Sequence, residues 1–246
     1  MPTRRTFLLG LAACPMCAAA AGAEGQHWSY EGTGKPEEWG NLDSKFKACA
    51  VGAEQSPVNL TGGIKAQAGA LVLNWKPEAF QVINNGHTIQ ANGGAASSLT
   101  LDGKAYWLKQ FHFHAPSEHA LDNNRSAMEV HFVHASTEGA LTVVGVFLKV
   151  GKANTDFSTV MAAAPAEESA AKAPSMVKPS AFLPTSRATY RYEGSLTTPP
   201  CSEIVNWVVM ENAVEVASAD IAAFVKLFPN NARPIQPLSR RFLLRS

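Results

Sequence analysis

The feature that most constrains the fold of this chain is a succession of short strand-like runs between positions 71 and 210. Most of these runs are bounded by Gly, Asn, Asp or Pro, and Asn84-Asn85-Gly86 and Asp102-Gly103 are typical tight turns. Because the runs follow one another closely, mostly without helices between them, they predict a mainly antiparallel sheet. The predicted strands are residues 71–75, 80–83, 88–90, 98–101, 106–114, 127–134, 141–149, 189–192 and 204–210.

Helical patterns are few. The Ala-rich stretch 154–173 has helix-like apolar spacing, and a second short helix is predicted at 218–228. A Pro-rich loop is predicted between these helices at 174–184. Nearer the N-terminus, residues 26–62 are predicted to form an irregular segment held by aromatic residues. With 246 residues and no internal repeat, the chain is predicted to form one β-dominated α+β domain at 24–246.

The first 23 residues have the layout of an export signal. Arg4 and Arg5 precede an apolar stretch, and small residues end at Ala23, as in a secretory signal with an A-x-A-like cleavage site. The paired arginines also resemble a twin-arginine address. One alternative is a membrane anchor, but the apolar run is short for a membrane span. Another alternative is lipoprotein processing at Cys14. We favour cleavage after Ala23, which predicts a periplasmic or secreted protein without a membrane span.

Charge and cysteine content narrow the function. A net charge of +1 gives no indication of a nucleic-acid surface or a polybasic membrane patch. After removal of the export signal, Cys49 and Cys201 are the cysteines that remain. In an oxidising compartment an isolated pair predicts one disulfide, with two free buried thiols as the alternative.

Two histidines, His112 and His114, are separated by one residue within a predicted strand. Alternate side chains of a strand point to the same face, so both histidines share a face with Gln110, and Phe111 and Phe113 face the core. Adjacent imidazoles repel one another when charged, whereas a shared metal cation keeps them neutral. The pattern therefore favours a metal site over unrelated histidines on a polar sheet face.

A later strand offers a third ligand, because Glu129 and His131 share one of its faces. Three neutral imidazoles with an open fourth position are the ligand set of a catalytic zinc. Gln110 and Glu129 each lie one alternation from a histidine and can accept its second ring N–H. The spacing alone leaves His119 and His134 open as the third ligand.

The stretches QFHFHAPSEH (110–119), EVHFVH (129–134) and GSLTTPP (194–200) together resemble an α-class carbonic anhydrase of the bacterial exported type. Further matching motifs are HWSY at 27–30, QSP at 55–57, NNGH at 84–87, LTVVGVFLKVG at 141–151 and NARPIQP at 231–237. The resemblance implies a large, twisted, mostly antiparallel sheet with short peripheral helices. It also implies Zn²⁺-dependent reversible hydration of CO₂ to bicarbonate, by a monomer or homodimer.

Each matching position has an implied role. The zinc ligands would be His112, His114 and His131, supported by Gln110 and Glu129. Thr197 would accept a hydrogen bond from the zinc-bound hydroxide and donate one to Glu118, and His87 would be the proton shuttle. The residues implied to contact CO₂ or bicarbonate are Val133, Val143, Leu196, Thr198, Val205 and Trp207. The resemblance also pairs Cys49 with Cys201 and gives His119 a structural role.

Two departures and two rival functions accompany the resemblance. Only three residues separate His114 from Glu118, a short loop that resembles the bacterial branch, and Gln90 stands where animal members often have Asn. One rival is a non-catalytic binding protein of the same fold, of a kind that typically lacks a zinc histidine. The other is a zinc hydrolase of small esters, for which the apolar wall offers no obvious group to bind a larger substrate.

Overall fold

The structure is a computed structural model that describes residues 27–66, 69, 71–168 and 173–246. The predicted export signal, including Cys14, lies outside the described residues. None of the helices in the described part of the chain is long and apolar enough to cross a membrane.

Strands dominate the described part of the chain. Thirteen of them form one sheet, in the order β11-β4-β5-β7-β9-β10-β13-β12-β15-β2, with β6 and β3 attached beside β7 and β14 beside β10. The strands are β1 Asn59–Leu60, β2 Ile64–Lys65, β3 Leu71–Asn74, β4 Glu78–Asn84, β5 Ile89–Asn92, β6 Ser98–Leu101, β7 Lys104–His114, β8 Ala120–Leu121, β9 Met128–Ala135, β10 Leu141–Val150, β11 Ser175–Val177, β12 Thr189–Gly194, β13 Val205–Met210, β14 Val214–Val216 and β15 Leu244–Arg245. The predicted β-dominated fold with a large sheet is confirmed.

The helices are short, as expected. They are α1 Trp39–Leu42, α2 Ala48–Val51, α3 Thr155–Ala163 and α4 Ser218–Leu227. Helix α3 covers the first half of the predicted stretch 154–173, of which residues 169–172 lie outside the described part of the chain. Asn154 begins it, because its side chain accepts the backbone N–H groups of Asp156 and Phe157. The helix ends before Ala164, whose extended backbone is the conformation favoured for a residue that precedes proline.

The sheet is mixed rather than wholly antiparallel. β10 pairs antiparallel with β9 but parallel with β13. A parallel pair needs a long crossover, and here residues 151–204 supply it, including α3. The predicted Pro-rich loop 174–184 was wrong in part, because β11 lies within it and pairs antiparallel with β4.

The apolar core lies on the face of the sheet opposite the paired histidines. Phe111 and Phe113 are fully buried, which confirms their predicted role as core anchors. Phe113 packs edge-on or tilted against Phe157 of α3, Phe182 and Phe224 of α4. Burial of one such side chain contributes about 1.5–3 kcal/mol, so these contacts fix which face of β7 is turned away from the core.

Candidate functional site

Three imidazoles converge on the face of the sheet opposite this core. β7 and β9 pair antiparallel with His112 directly opposite His131, and His114 lies one alternation further along β7. The ring centroids of His112 lie 5.0 Å from His114 and 5.4 Å from His131, and those of His114 and His131 are 4.6 Å apart. One nitrogen from each ring lies within 4.8 Å of the others. His114 and His131 are buried and His112 is half-buried, so the cluster opens on the His112 side.

The second nitrogen of each ring has a hydrogen-bond partner. These contacts are His112 Nδ1 to Gln110 Oε1 at 2.8 Å, His114 Nδ1 to Asn231 O at 2.7 Å, and His131 Nε2 to Glu129 Oε1 at 2.9 Å. Since each partner atom is an oxygen that accepts, each contacting nitrogen carries the hydrogen. The lone pairs of the remaining nitrogens then point towards one another, which is how such partners orient metal-binding histidines.

An unpartnered buried atom tests whether a metal fits. His114 Nε2 has no hydrogen-bond partner among the described residues, and its nearest charged neighbour, Glu118 Oε2 at 3.6 Å, is likewise unpartnered. Leaving a buried polar atom unpaired costs about 1–3 kcal/mol. A cation shared by His112, His114 and His131 would satisfy this nitrogen, and three neutral imidazoles suit zinc.

Burial disfavours the charged forms of His112 and His114. Loss of hydration, reinforced by the imidazoles of His114 and His131, lowers the pKa of His112 well below its usual value. Burial likewise lowers the pKa of His114, although the carboxylate of Glu118 opposes the shift. Metal binding requires neutral imidazoles, so these directions favour a ligand set that is ready at neutral pH.

Glu129 joins His131 to a second buried histidine. Its Oε1 lies 2.9 Å from His131 Nε2 and 2.8 Å from His119 Nδ1, and its Oε2 accepts the backbone N–H of His119. Burial would raise the pKa of Glu129, but the attraction of His119 and His131 and their hydrogen bonds hold it well below its usual value. His119 Nε2 contacts Tyr192 Oη at 2.7 Å. With both its nitrogens bonded in this way, His119 is a supporting residue rather than a third ligand.

His134 lies on the opposite face of β9. Its Nε2 accepts the indole N–H of Trp75 at 3.0 Å, and its Nδ1 lies 2.9 Å from the backbone oxygen of Phe132. His134 therefore belongs to the core, and of the histidines left open by the sequence, His131 is the one that meets His112 and His114.

Glu118 and Thr197 are both buried, and Glu118 lies beside two of the histidines. Glu118 Oε1 accepts the backbone N–H of Arg233 at 2.9 Å, and Oε2 lies 3.6 Å from His114 Nε2 and 3.8 Å from His131 Nδ1. The hydrogen bond from Thr197 expected from the resemblance is not formed in the structure, and Glu118 Oε2 has no hydrogen-bond partner among the described residues.

No role was predicted for Arg233 from the sequence. Its side chain is 1 % exposed and donates to Gln55 Oε1 and to the backbone oxygen of Ser56, each at 2.8 Å. The guanidinium carbon lies 5.6 Å from the Trp39 ring centroid. Burial lowers the pKa of Arg233 to about 10, against the attraction of Glu118, so it remains charged at neutral pH. Arg233 thus anchors the backbone that holds Glu118.

Asn231 is the second such residue. Its Nδ2 donates to the backbone oxygens of His87 and Phe113 at 3.0 and 2.9 Å, and its Oδ1 accepts the N–H of Ala115 at 2.8 Å. Its own carbonyl accepts from His114 Nδ1. The NARPIQP motif contains this Asn, but its hydrogen-bond partners are more than 110 positions away, so sequence spacing does not predict them.

His87 lies in the turn between β4 and β5. Asn85 Oδ1 accepts the backbone N–H groups of His87 and Thr88 at 3.0 and 2.9 Å, which fixes the turn. The His87 ring stacks on Trp28 with centroids 3.7 Å apart and planes 13° apart, and His27 lies 5.1 Å away. Burial, and then the charge of His27, lower the pKa of His87.

An apolar patch borders the histidines. On three neighbouring strands, Val143 lies opposite both Val133 and Trp207. Val205 and Leu196 pack into the same cluster. The Trp207 ring centroid is 4.8 Å from that of His131, so the patch begins directly beside the candidate metal ligands.

The predicted disulfide between Cys49 and Cys201 is present, with a Cα–Cα distance of 5.0 Å. The backbone N–H of Cys201 donates to the carbonyl of Thr198 at 2.9 Å. Arg233 Nη2 donates to the carbonyl of Cys49 at 3.1 Å. The bridge therefore ties the loop that carries Thr197 and Thr198 to the N-terminal segment.

Comparison with known proteins agrees with this arrangement. The family model for eukaryotic-type carbonic anhydrase matches residues 34–246. A carbonic anhydrase of Pectobacterium carotovorum is 41% identical over 231 residues, which cover 93% of this chain and 95% of that protein. The α-carbonic anhydrase of Thermovibrio ammonificans, solved with the inhibitor sulfanilamide, is 40% identical and has a TM-score of 0.86 over 89% of this chain and 98% of that one. Dioscorin DB3L from Dioscorea polystachya is 33% identical over 92% of this chain and 88% of that protein.

Proposed function

This chain belongs to the eukaryotic-type, or α, carbonic anhydrase family, and from that premise we propose that it hydrates CO₂ reversibly with zinc held by His112, His114 and His131. The observation that carries the zinc assignment is the convergence of these imidazoles around the unpartnered His114 Nε2. Zinc, when bound, supplies a nucleophile at neutral pH, since it lowers the pKa of a coordinated water to about 7, the value already established for carbonic anhydrases.

The residues behind the ligands hold the ring orientations. Gln110, Glu129 and the backbone oxygen of Asn231 each contact one ring nitrogen, so the other nitrogen of each ring is left to bind the metal. Of these three acceptors only Glu129 is charged. Three neutral ligands leave the full charge of the metal to act on the reacting oxygen.

Glu118 and Thr197 are proposed to orient the nucleophile. Glu118 is fixed through Oε1 by the Arg233 backbone, which leaves Oε2 as the acceptor on which the Thr197 hydroxyl hydrogen can end. A threonine oxygen whose hydrogen is committed in this way can only accept from the attacking group. That restriction aims the attacking lone pair at CO₂ and lowers the orientational cost of the reaction.

CO₂ is proposed to rest on the apolar patch beside His131, formed by Val133, Val143, Leu196, Val205 and Trp207. A small, uncharged substrate needs no charged anchor, and close apolar contacts suffice to hold it beside the metal ligands. Thr198, in the same loop as Thr197, is proposed to contact bicarbonate. The apolar lining and the absence of a charged group among these residues favour CO₂ hydration over ester hydrolysis.

His87 is proposed as the proton shuttle. An acid of pKa 7 that releases its proton directly to water is limited to about 10³ s⁻¹, because recapture is diffusion-limited at about 10¹⁰ M⁻¹s⁻¹. Carbonic anhydrases are already known to reach about 10⁶ s⁻¹, so a local group must take the proton and pass it to buffer. Histidine titrates in the required range, and the half-buried ring of His87 is within reach of solvent.

We also propose that the chain is exported and acts in the periplasm or outside the cell. The disulfide and the Arg4-Arg5 pair at the head of the predicted signal, residues 1–23, support this location. The domain that follows the signal is proposed to span 24–246. The non-catalytic rival is disfavoured, because none of the histidines expected to bind zinc is replaced.

The zinc assignment is tested with His112→Ala, with Lys104→Ala as the control on the same strand. Lys104 is exposed and remote from the cluster. We expect His112→Ala to lose zinc in metal analysis and CO₂ hydration in stopped-flow assays, while Lys104→Ala keeps both. Near-normal activity of a folded, zinc-depleted His112→Ala protein would refute the assignment.

The shuttle is tested with His87→Ala in weak and strong buffer. The turnover number should fall in weak buffer, and added imidazole should restore much of it, while kcat/KM stays close to that of the parent enzyme. A His87→Ala enzyme whose turnover is normal and independent of buffer would eliminate the shuttle role.

A further inference from the structure

We propose that Glu168, on the loop that follows α3, is a positioning residue for proton transfer through His87, because its carboxylate rests on the turn that carries that imidazole. This inference depends on the shuttle role proposed above. Glu168 would contact neither CO₂ nor the metal, and would act by stabilising the protonated form of His87.

The loop after α3 is docked on the His87 turn. Asn84 Nδ2 donates to the backbone oxygen of Pro165 at 3.3 Å, and Pro165 is buried. Three residues later, Glu168 Oε2 would lie 2.9 Å from a methyl group placed on Gly86. The approach depends on glycine, because Gly86 has φ +83 and no side chain to displace the carboxylate.

Two charged groups influence the His87 imidazole, and they act in opposite directions. Burial and the nearby imidazole of His27 lower the pKa of His87, whereas the carboxylate of Glu168 raises it. The other groups packed around it, Trp28 on the N-terminal segment and Asn231 on the C-terminal segment, carry no charge. The turn itself, residues 84–88, contains no other titratable side chain.

The balance of these effects matters for the reaction. A shuttle works best when its pKa matches that of the group that gives up the proton, which is about 7 here. Burial and His27 lower the pKa of His87 below that match, and Glu168 offsets part of the lowering. The proton taken up on the imidazole is then released to buffer.

The alternative is that Glu168 is an ordinary solvated acid. Glu167 provides the matched control, because it is an exposed glutamate in the same loop and is not among the groups that shift His87. Glu168→Gln and Glu167→Gln remove the same charge one position apart. A structural or general electrostatic effect would appear in both variants.

The direct test is an NMR titration of the His87 imidazole, with its resonances assigned by comparison with His87→Ala. An exposed charge pair changes a protonation equilibrium by about two- to fivefold, so Glu168→Gln should lower the pKa of His87 by about 0.3–0.7. Glu167→Gln should leave the pKa of His87 unchanged, and in Glu168→Asp it should stay close to the value of the parent. High salt should reduce the difference in pKa between the parent and Glu168→Gln. An unchanged titration in Glu168→Gln, or an equal shift in Glu167→Gln, overturns the proposal.

Kinetics separate this inference from the shuttle itself. In weak buffer, Glu168→Gln should lower kcat about two- to fivefold with kcat/KM unchanged, and it should add nothing in the His87→Ala background. If His87→Ala turns over normally, the shuttle is absent and the role of Glu168 falls with it. If His87→Ala is impaired but the titration of His87 ignores Glu168, the shuttle stands and only the positioning role is overturned.

Discussion

Replacement of His134 with glutamine should make the core less sensitive to acid. His134 is fully buried, accepts the Trp75 indole N–H at Nε2, and is hydrogen-bonded through Nδ1 to the backbone oxygen of Phe132. The first contact requires an unprotonated nitrogen. Burial lowers the pKa of His134 from 6.5 to about 4, although hydrogen bonds to the Phe132 and Thr142 backbone oppose the shift.

The sign follows from proton binding in the two states. Between pH 6.5 and pH 4 an unfolded chain holds a proton on His134 that the folded chain does not, so acid favours unfolding. The contribution is fully present above pH 6.5, is lost progressively as the pH falls from 6.5 to 4, and is gone below 4. For these pKa values the free energy of unfolding decreases by about 3 kcal/mol in total, and most of that loss has occurred by pH 4.5.

Urea unfolding at pH 7.5 and pH 4.5 measures this contribution. The metal should be removed from both the parent protein and His134→Gln, so that acid-driven metal release affects neither. Other histidines titrate in both proteins, and the difference between the two stabilities cancels them. The His134→Gln protein should be less stable than the parent at pH 7.5, because glutamine fits the site imperfectly. At pH 4.5 the difference in stability should shift in favour of the variant by roughly 2–3 kcal/mol. A gap that is the same at both pH values would refute the assignment of a neutral, buried His134.

Two further predictions concern the ligand strands and the disulfide. A Cβ at Gly145 would lie 2.8 Å from Glu129 Oε1, so Gly145→Ala should displace the carboxylate. Zinc affinity measured by chelator competition should then weaken about 10–100-fold, and an unchanged affinity would contradict that contact. Replacement of Cys49 and Cys201 with serine opens a loop of 152 residues, for which chain entropy gives an upper figure of roughly 5 kcal/mol. An unfolding midpoint that matches the oxidised parent would show that the bridge does not stabilise the fold.

The metal ligands could be predicted because strand alternation is a local property. Gln110, His112 and His114 share a face by their spacing alone, as do Glu129 and His131. Sequence spacing does not contain the register that sets His112 opposite His131, because it depends on pairing between separate strands. The resemblance to a known family supplied that step, and the geometry agrees with it.

The features of the site and the sheet that local sequence patterns did not predict depend on contacts between distant chain segments. Strand alternation could not place Glu118, because it lies in a loop and takes its hydrogen bond from Arg233, 115 positions away. The parallel pairing of β10 with β13 depends on a crossover of more than fifty residues between them, which no local pattern encodes. Both features are determined by tertiary packing, which leaves no periodic pattern of residues in the intervening sequence.

Asn231 shows why such a distant residue matters for the chemistry. Through one buried amide and one carbonyl it contacts the backbone of His87 and the ring of His114. The side-chain amide holds the His87 turn, and the backbone carbonyl of the same residue holds the His114 ring. The proposed shuttle and the proposed zinc ligand are therefore held by the same support. The short contacts of Asn231 with His87 and with His114, rather than the path along the chain, hold these two residues at a fixed distance.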